Sequence, residues 1–290
     1  MKILLAGGSG QLAQELQQIL LSSGEVIAVD RTRIDLSQPE SIRQAMAQIQ
    51  PDLVVNAAAY TAVDKAENEP ELAHAVNGIA PEIFAEECAK LRATLIHFST
   101  DYVFDGSRGS AYLETDITNP LGTYGKSKLA GEEAIRNAVN RHIIIRTAWV
   151  YGNGGKGNFV KTMLRLGKER EEIRVVADQI GSPTWTGDLA AAVSQIIPQI
   201  KPEIFGTYQY TNSGVCSWYD FAIAIFEEAE KLGFPLKVQR VIPITTAEYP
   251  TPAKRPAFSV LSTVKISALL GTYPPHWRQG LRQMLAREVK

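Results

Sequence analysis

The sequence predicts an α/β fold built on a doubly wound parallel sheet, with a smaller C-terminal α/β lobe, and three observations carry that expectation. Short runs rich in β-branched residues, at 2–6, 25–29, 53–56, 94–98, 142–146 and 173–176, alternate with amphipathic segments, the rhythm of repeated strand–helix–strand units. Each run is largely apolar throughout, which is how strands covered on both faces read. The first run leads straight into Gly7, Gly8 and Gly10, the turn chemistry of a strand entering a helix.

Between these runs the helical spacing recurs at 11–21, 39–49, 71–91 and 122–137. Pro70 and Pro81 fall around the third segment, and proline, lacking an N–H, predicts a cap or a break there. From about residue 173 the pattern loosens. Pro183, Pro198, Pro202, Pro235, Pro243, Pro250, Pro252, Pro256, Pro274 and Pro275 punctuate shorter elements, with helices expected at 218–232 and 277–287. A chain of 290 residues exceeds the usual size of one compact domain. The expected division is 1–172 for the core and 173–290 for the lobe, with some segments of the latter returning to the core. Internal repeats and low-complexity tracts are absent from the sequence.

Composition narrows the function classes. With 45% hydrophobic and 21% charged residues, the chain has the balance of a globular protein. Its 30 basic and 31 acidic residues leave a formal net charge of -1, which removes the footprint of a nucleic-acid binder. The apolar start, Met1 to Ala6, is far too short for a signal segment and reads as the first strand; no stretch reaches the roughly 20 apolar residues of a membrane span. Cys88 and Cys216 are far apart, so neither a disulfide framework nor a thiolate metal site is indicated, and a reducing cytoplasm fits. His74, His97, His142 and His276 are scattered without ligand spacing and are assigned no role.

The glycines point to a dinucleotide. Gly7-Gly8-Ser9-Gly10-Gln11-Leu12-Ala13 reads as GxGxxA from Gly8 or as GxxGxxA from Gly7. Either way it supplies a tight turn, a close backbone approach to pyrophosphate, and a small residue where helix meets strand, as in a Rossmann-type site. Asp30 follows the second strand about 20 residues on, where a carboxylate accepts the adenosine ribose hydroxyls of NAD(H). Arg31 comes next, with Arg33 nearby, and a guanidinium there clamps the 2′-phosphate of NADP(H) instead. Both cofactors stay open. Asp35 and Leu36 either border the adenine or form the turn before Pro39. Ala57, Ala58 and Ala59, after Asn56, are small residues at a strand end where a cofactor must enter.

Tyr124 and Lys128 stand four apart at the start of a helical segment, so their side chains share one face. A phenol is a weak acid at neutral pH, and a neighbouring ammonium eases its loss of a proton. That arrangement suits reduction of a ketone. YxxxK is common on spacing alone; its meaning comes from Ser99-Thr100-Asp101-Tyr102, which follows the fourth strand at the same sheet edge as the glycine turn. The Thr100 hydroxyl is placed to hydrogen-bond a substrate carbonyl beside Tyr124.

Longer stretches carry a family resemblance. Residues 56–67 (NAAAYTAVDKAE), 99–106 (STDYVFDG), 124–132 (YGKSKLAGE), 146–152 (RTAWVYG), 178–184 (DQIGSPT) and 251–256 (TPAKRP) closely resemble the dTDP-4-dehydrorhamnose reductases, extended short-chain dehydrogenases/reductases, along the whole chain. The resemblance implies reduction of the C4 ketone of dTDP-4-dehydro-β-L-rhamnose to dTDP-L-rhamnose by NADPH or NADH, the last step of dTDP-rhamnose formation. It implies Thr100, Tyr124 and Lys128 as the catalytic triad, with Lys128 also holding the nicotinamide ribose. It implies cofactor contacts from Gly7, Ser9, Gly10, Gln11, Leu12, Asp30, Arg31, Asp35, Leu36, Ala57, Ala58, Ala59, Tyr124 and Lys128. Thr61, Val63, Tyr102, Trp149 and Asn158, with Thr100, would face the sugar and nucleotide, and Arg255 the diphosphate. Ala13 stands where the family pattern has a third glycine. Some relatives bridge dimers through a metal on glutamates; Glu15 is present here but Gly187 occupies the second position, so no metal is expected, and the chain is expected to be a monomer or weak homodimer.

Two rivals share these motifs. A nucleotide-sugar 4-epimerase or 4,6-dehydratase has the same turn and YxxxK, but dehydratases resemble one another in an Asp-Glu pair after the threonine, where this chain has Asp101-Tyr102. The regulatory subunit of methionine adenosyltransferase resembles the same family without turning over a sugar; the intact Thr100, Tyr124 and Lys128 favour an enzyme.

Overall fold

The computed structural model describes residues 1–289. Five expected strands form β1 (Lys2–Ala6), β2 (Glu25–Val29), β3 (Leu53–Asn56), β4 (Thr94–Thr100) and β5 (His142–Thr147). They join the strand Gly206–Gln209 in one sheet, ordered Gly206–Gln209, β5, β4, β3, β1, β2, and every neighbouring pair is parallel. The chain runs from β1 outward to β2 and then returns to β3 on the other side. Such a reversal leaves a crevice at the carboxyl ends of β1 and β3, because the connections there diverge to opposite faces.

Helices cover both faces. Leu12, Ala13 and Leu16 of α1 (Gln11–Ile19) pack with Leu189, Val193 and Ile196 of the helix Thr186–Ile196 over Ile3, Leu5, Val55 and Ile96. On the other face Ile42 and Met46 of α2 (Pro39–Ile49), Phe84 and Cys88 of Ala80–Leu91, and Ile135 of Thr123–Ala138 cover Leu4, Val54, Leu95 and Ile144. Burying one such aliphatic side chain stabilises the fold by about 1.5–3 kcal/mol.

Sequence and structure differ in instructive places. The run at 173–176 does form a strand, Glu172–Val176, but it pairs with Arg240–Ile244 outside the main sheet. Its burial alternates, since only one side has a core to face. β2 is likewise only partly covered, being an edge strand. The sheet's sixth strand, Gly206–Gln209, is four residues long, too short to stand out. Thus residues from beyond 172 supply both a strand and the helix Thr186–Ile196 to the core. The helical segment over 71–91, where a cap or break is expected at Pro70 and Pro81, consists of Pro70–His74, a π-helical stretch Ala75–Ile79 and Ala80–Leu91, with each proline in a first turn.

The remaining C-terminal elements surround an aromatic core of Tyr151, Trp185, Phe221 and Trp277. The helix Trp218–Lys231 starts with a capping box, Ser217 Oγ accepting from Asp220 N at 3.0 Å while Ser217 N donates to the Asp220 carboxylate at 2.9 Å; reciprocal capping satisfies two otherwise free N–H groups. The helix Trp277–Glu288 closes the chain over this core. Cys88 and Cys216 are buried, unpaired thiols. Among the described residues no helix is long and apolar enough to cross a membrane.

Candidate active site

The carboxyl edge of the sheet opens into a cleft of about 780 Å³. Its floor is the β1–α1 turn. Gly7 sits at φ +91°, and a Cβ there would lie 2.9 Å from the backbone N and Cα of Ala58, so only glycine lets the two strand ends approach. Gly7 and Gly8 N both donate to Val29 O, at 2.9 and 2.8 Å, fixing the turn to the end of β2. No side chain caps α1 and no acidic residue occupies its first turn; its amide dipoles are left for an anionic ligand. A pyrophosphate-bearing dinucleotide fits this floor.

Of the cofactor residues expected from sequence, all but one line this cleft: Gly7, Ser9, Gly10, Gln11, Leu12, Arg31, Asp35, Leu36, Ala57, Ala58, Ala59, Tyr124 and Lys128. Asp30 does not. Its carboxylate accepts from Thr32 N at 2.9 Å and Thr32 Oγ1 at 2.6 Å, bonds that hold it below the ordinary aspartate range. It borders a shallower neighbouring pocket with Gly8, Gln17 and Arg33. Asp35 is also a turn-former, accepting from Ser37 N and Oγ at 2.9 and 2.7 Å. The exposed Arg31 guanidinium stands 3.9 Å from Asp35.

The reacting end gathers on β4 and the helix Thr123–Ala138. Thr100 is the last residue of β4 and Asp101–Val103 forms a 3-10 turn directly after it. That turn lies hard against the helix: a Cβ on Gly125 would fall 2.2 Å from Tyr102 O. The contact sets the Tyr102 and Tyr124 rings edge to face, 5.4 Å apart at 78°. Burial pushes the Tyr124 phenol up to about 12, with the neighbouring Thr100 hydroxyl acting in the opposite direction.

Lys128 is only 2% exposed, and burial pushes its ammonium down to about 8 against the opposing pull of Glu132. Its Nζ donates to Phe98 O at 2.7 Å and lies 3.2 Å from His97 Nε2. The ammonium is anchored on β4 rather than bonded to the phenol, although the two side chains share a helix face as expected. And His97, assigned no role, is fully buried between Lys128 and Asn56, whose Nδ2 is 3.2 Å from His97 Nδ1. Burial, then the lysine charge, hold that imidazole well below its ordinary range and so neutral. The available signal was register: Asn56 and His97 are directly paired across β3 and β4, a pairing that a linear reading does not display.

Asn77 was also missed. From the π-helical stretch its Oδ1 accepts from Tyr60 N at 2.9 Å, while Nδ2 donates to Tyr60 O and Ser127 Oγ, both at 3.0 Å. One amide therefore ties the loop carrying Thr61 and Val63 to the helix carrying Tyr124. The wider π-turn makes room for the Gly131 backbone, where a Cβ would meet Asn77 O at 2.2 Å; such bulges recur at functional sites.

Thr61, Val63, Thr100, Tyr102 and Trp149 all line the cleft. Trp149 takes an unusual positive φ of 47°, a strained backbone for a bulky residue, and stacks on Trp218 at 3.5 Å between ring centres. Asn158 and Arg255 lie outside the cleft lining. Asn158 caps the helix Phe159–Glu169 and donates to Gly152 O at 2.8 Å and Gln11 Oε1 at 3.2 Å. Arg255 is held bidentately by Asp64 at 3.1 and 2.8 Å. A fork paired with a carboxylate is not a free phosphate clamp.

The sheet, its glycine turn and the Tyr124–Lys128 pair at the carboxyl edge define a short-chain dehydrogenase/reductase of the extended type. Within that class, the chain belongs to the RmlD substrate binding domain family, whose model matches residues 1–289. It is 46% identical to dTDP-4-dehydrorhamnose reductase of Escherichia coli strain K12 over 98% of this chain and 97% of that one. Among solved structures it is similar to dTDP-4-dehydrorhamnose reductase of Bacillus anthracis strain Ames in complex with NADP, with a TM-score of 0.91 and 38% identity over 99% of both chains. A dTDP-4-dehydrorhamnose reductase orthologue of Clostridium acetobutylicum ATCC 824 superposes with a TM-score of 0.92 at 39% identity over the whole of each chain.

Proposed function

We propose that this protein reduces the C4 ketone of dTDP-4-dehydro-β-L-rhamnose to dTDP-L-rhamnose with NADPH or NADH, closing dTDP-rhamnose formation in the cytoplasm as a monomer or weak homodimer. Residues 1–172 chiefly bind the cofactor and 173–290 chiefly the substrate, apart from the segments that complete the sheet. The observation that carries the reading is the meeting of Thr100, Tyr124 and Lys128 in the same cleft as the glycine turn, in a chain whose similarity to the named reductases is end to end.

A reduced nicotinamide supplies the hydride for C4. Tyr124 gives its hydroxyl proton to the C4 oxygen, so that ketone, hydride and proton together make the alcohol. Thr100 holds that oxygen as negative charge builds on it, a contribution made mostly in the transition state. Lys128, fixed by Phe98 O and His97, brings a positive charge to the ribose and to the phenolate left behind. Asp101-Tyr102 in place of Asp-Glu leaves no second acid/base for an elimination.

The test supplies dTDP-4-dehydro-β-L-rhamnose with NADPH or NADH, follows loss of the reduced-nicotinamide absorbance, and identifies the product sugar. Consumption of cofactor with formation of dTDP-L-rhamnose is expected; a protein that epimerises or dehydrates nucleotide sugars without net cofactor consumption overturns the reading. Arg31 gives a sharper expectation about the cofactor. Because Arg31 lines the cleft while Asp30 lies outside its lining, Arg31→Ala should raise KM for NADPH by about tenfold, the loss of one exposed charge-assisted contact. KM for NADH should change less than about twofold, and equal effects on both cofactors would place the 2′-phosphate elsewhere.

A further inference from the structure

Asp101 is a buried ionisable residue of the cleft to which the reading above gives no chemical role. It is 2% exposed, lines the cleft beside Tyr124, and its Oδ1 lies 3.0 Å from Thr100 Oγ1. Its other oxygen, Oδ2, has no hydrogen-bond partner within 3.5 Å, although the Ser259 hydroxyl faces the carboxyl and works against the upward push of burial. The groups facing it are the Tyr124 phenol from the helix, Tyr102 in its own turn and the Ser259 hydroxyl from the C-terminal segment. No ion pair forms with it among the described residues, since Arg255 is taken by Asp64 and Lys128 by Phe98 O and His97. A buried carboxylate with an orphaned oxygen and no cation is costly, whereas a neutral acid at the same place is tolerated.

The count of protons on Thr100 then decides its role. Thr100 Oγ1 accepts from Tyr102 N at 3.2 Å and has one proton of its own. Facing an ionised Asp101, that proton is drawn to Oδ1 at 3.0 Å, away from the Tyr124 phenol and from a ketone oxygen. Facing a protonated Asp101, the acid donates to Thr100 Oγ1, which then accepts twice and turns its own proton into the cleft.

We propose that protonated Asp101 is a positioning residue that turns the Thr100 hydroxyl outward, making it a hydrogen-bond donor to the C4 oxygen. The proposal rests on the reductase reading. Asp101 transfers no proton: it keeps its own throughout, while the proton gained by the sugar comes from Tyr124. Burial pushes the Asp101 carboxyl up to about 6, which brings its acid form into the working pH range, and a closed, dry cleft raises it further. The sign follows: the active form is the acid, so turnover falls as pH rises through the Asp101 ionisation.

The experiment compares kcat against pH for the wild type, Asp101→Asn and Asp101→Ala, with NADPH binding followed by fluorescence to show that the site is intact. The asparagine amide donates permanently to Thr100 Oγ1. Asp101→Asn should therefore hold, across the whole range, a kcat within about threefold of the wild type's low-pH plateau and lose the wild-type fall with rising pH. Asp101→Ala, whose Thr100 proton is free but no longer directed, should be about 10-fold slower than the low-pH wild type, with no fall as pH rises, as when the orientation of one donor is lost. Wild-type protein should also show, in infrared spectra, a protonated-carboxyl band that titrates near pH 6 and is absent from Asp101→Asn. The proposal is overturned if Asp101→Asn is as slow as Asp101→Ala, if it keeps the wild-type fall, or if the band is missing. Failure of the wild type to reduce the sugar at any pH would instead remove the reductase reading, and the proposal with it.

Discussion

Tyr124→Phe is expected to lower kcat for ketone reduction by about 10²- to 10⁴-fold, the usual worth of a positioned general acid. The substitution removes one hydroxyl and leaves the ring edge-to-face with Tyr102, so NADPH affinity should stay within about twofold and KM for the sugar within about fivefold. Phenylalanine offers no proton to the oxygen that becomes an alkoxide. Water does not replace a donor already positioned beside Thr100 in the cleft, where burial pushes the phenol up to about 12. Steady-state kinetics with cofactor-binding titrations make the measurement, and a Tyr124→Phe enzyme that keeps more than about a tenth of wild-type kcat would move the acid to another residue.

The largest expected effect on stability lies two turns further along the same helix, at Glu132. Glu132 is fully buried and receives the Arg146 guanidinium at 2.9 and 2.7 Å, with Arg136 at 3.1 Å. Arg146 is 3% exposed and lies over the Phe104 ring. Glu132→Ala leaves its charge uncompensated inside the protein, a loss of about 3–5 kcal/mol, or about 10 °C in Tm for a chain of this size. Replacing both partners, as Glu132→Leu with Arg146→Met, should recover more than half of that loss, since the pair itself adds little beyond a well-packed apolar contact. Thermal melts decide it; if the double variant melts no higher than Glu132→Ala, the damage comes from lost shape rather than from the stranded charge. The pair also sets an acid response. Burial raises the Glu132 carboxyl but Arg146 outweighs it, so the net direction is below the ordinary 4.5. Between that lowered value and 4.5 the unfolded chain binds more protons, so this contribution is complete above 4.5 and is lost as pH falls. The double variant should lack that component of acid destabilisation.

The same helix shows how far a linear reading reaches. Tyr124 and Lys128 were legible because helical period alone places residues four apart on one face, and the glycine turn because Gly7–Ala13 directly follows an apolar strand. Thr100 and Asp101 were visible as the end of such a strand. All these signals are local. The partners that determine what the groups do are not: Lys128 finds His97 at a separation of 31 residues, Asn77 finds Ser127 at 50, and Asp64 finds Arg255 at 191.

The alternation of strand and helix, the parallel sheet, the glycine turn and the candidate reacting side chains Thr100, Tyr124 and Lys128 are therefore each written in spacing or in short contiguous motifs. Only the assembled fold places Gly206–Gln209 at the edge of the sheet, brings Arg31 to the border of the cleft, spends Arg255 on Asp64 and sets His97 under Lys128. The reason is physical. Helix and strand periodicities are properties of neighbouring residues, whereas which buried donor meets which acceptor is settled only when strands from distant parts of the chain fall into register and every buried polar group must find a partner.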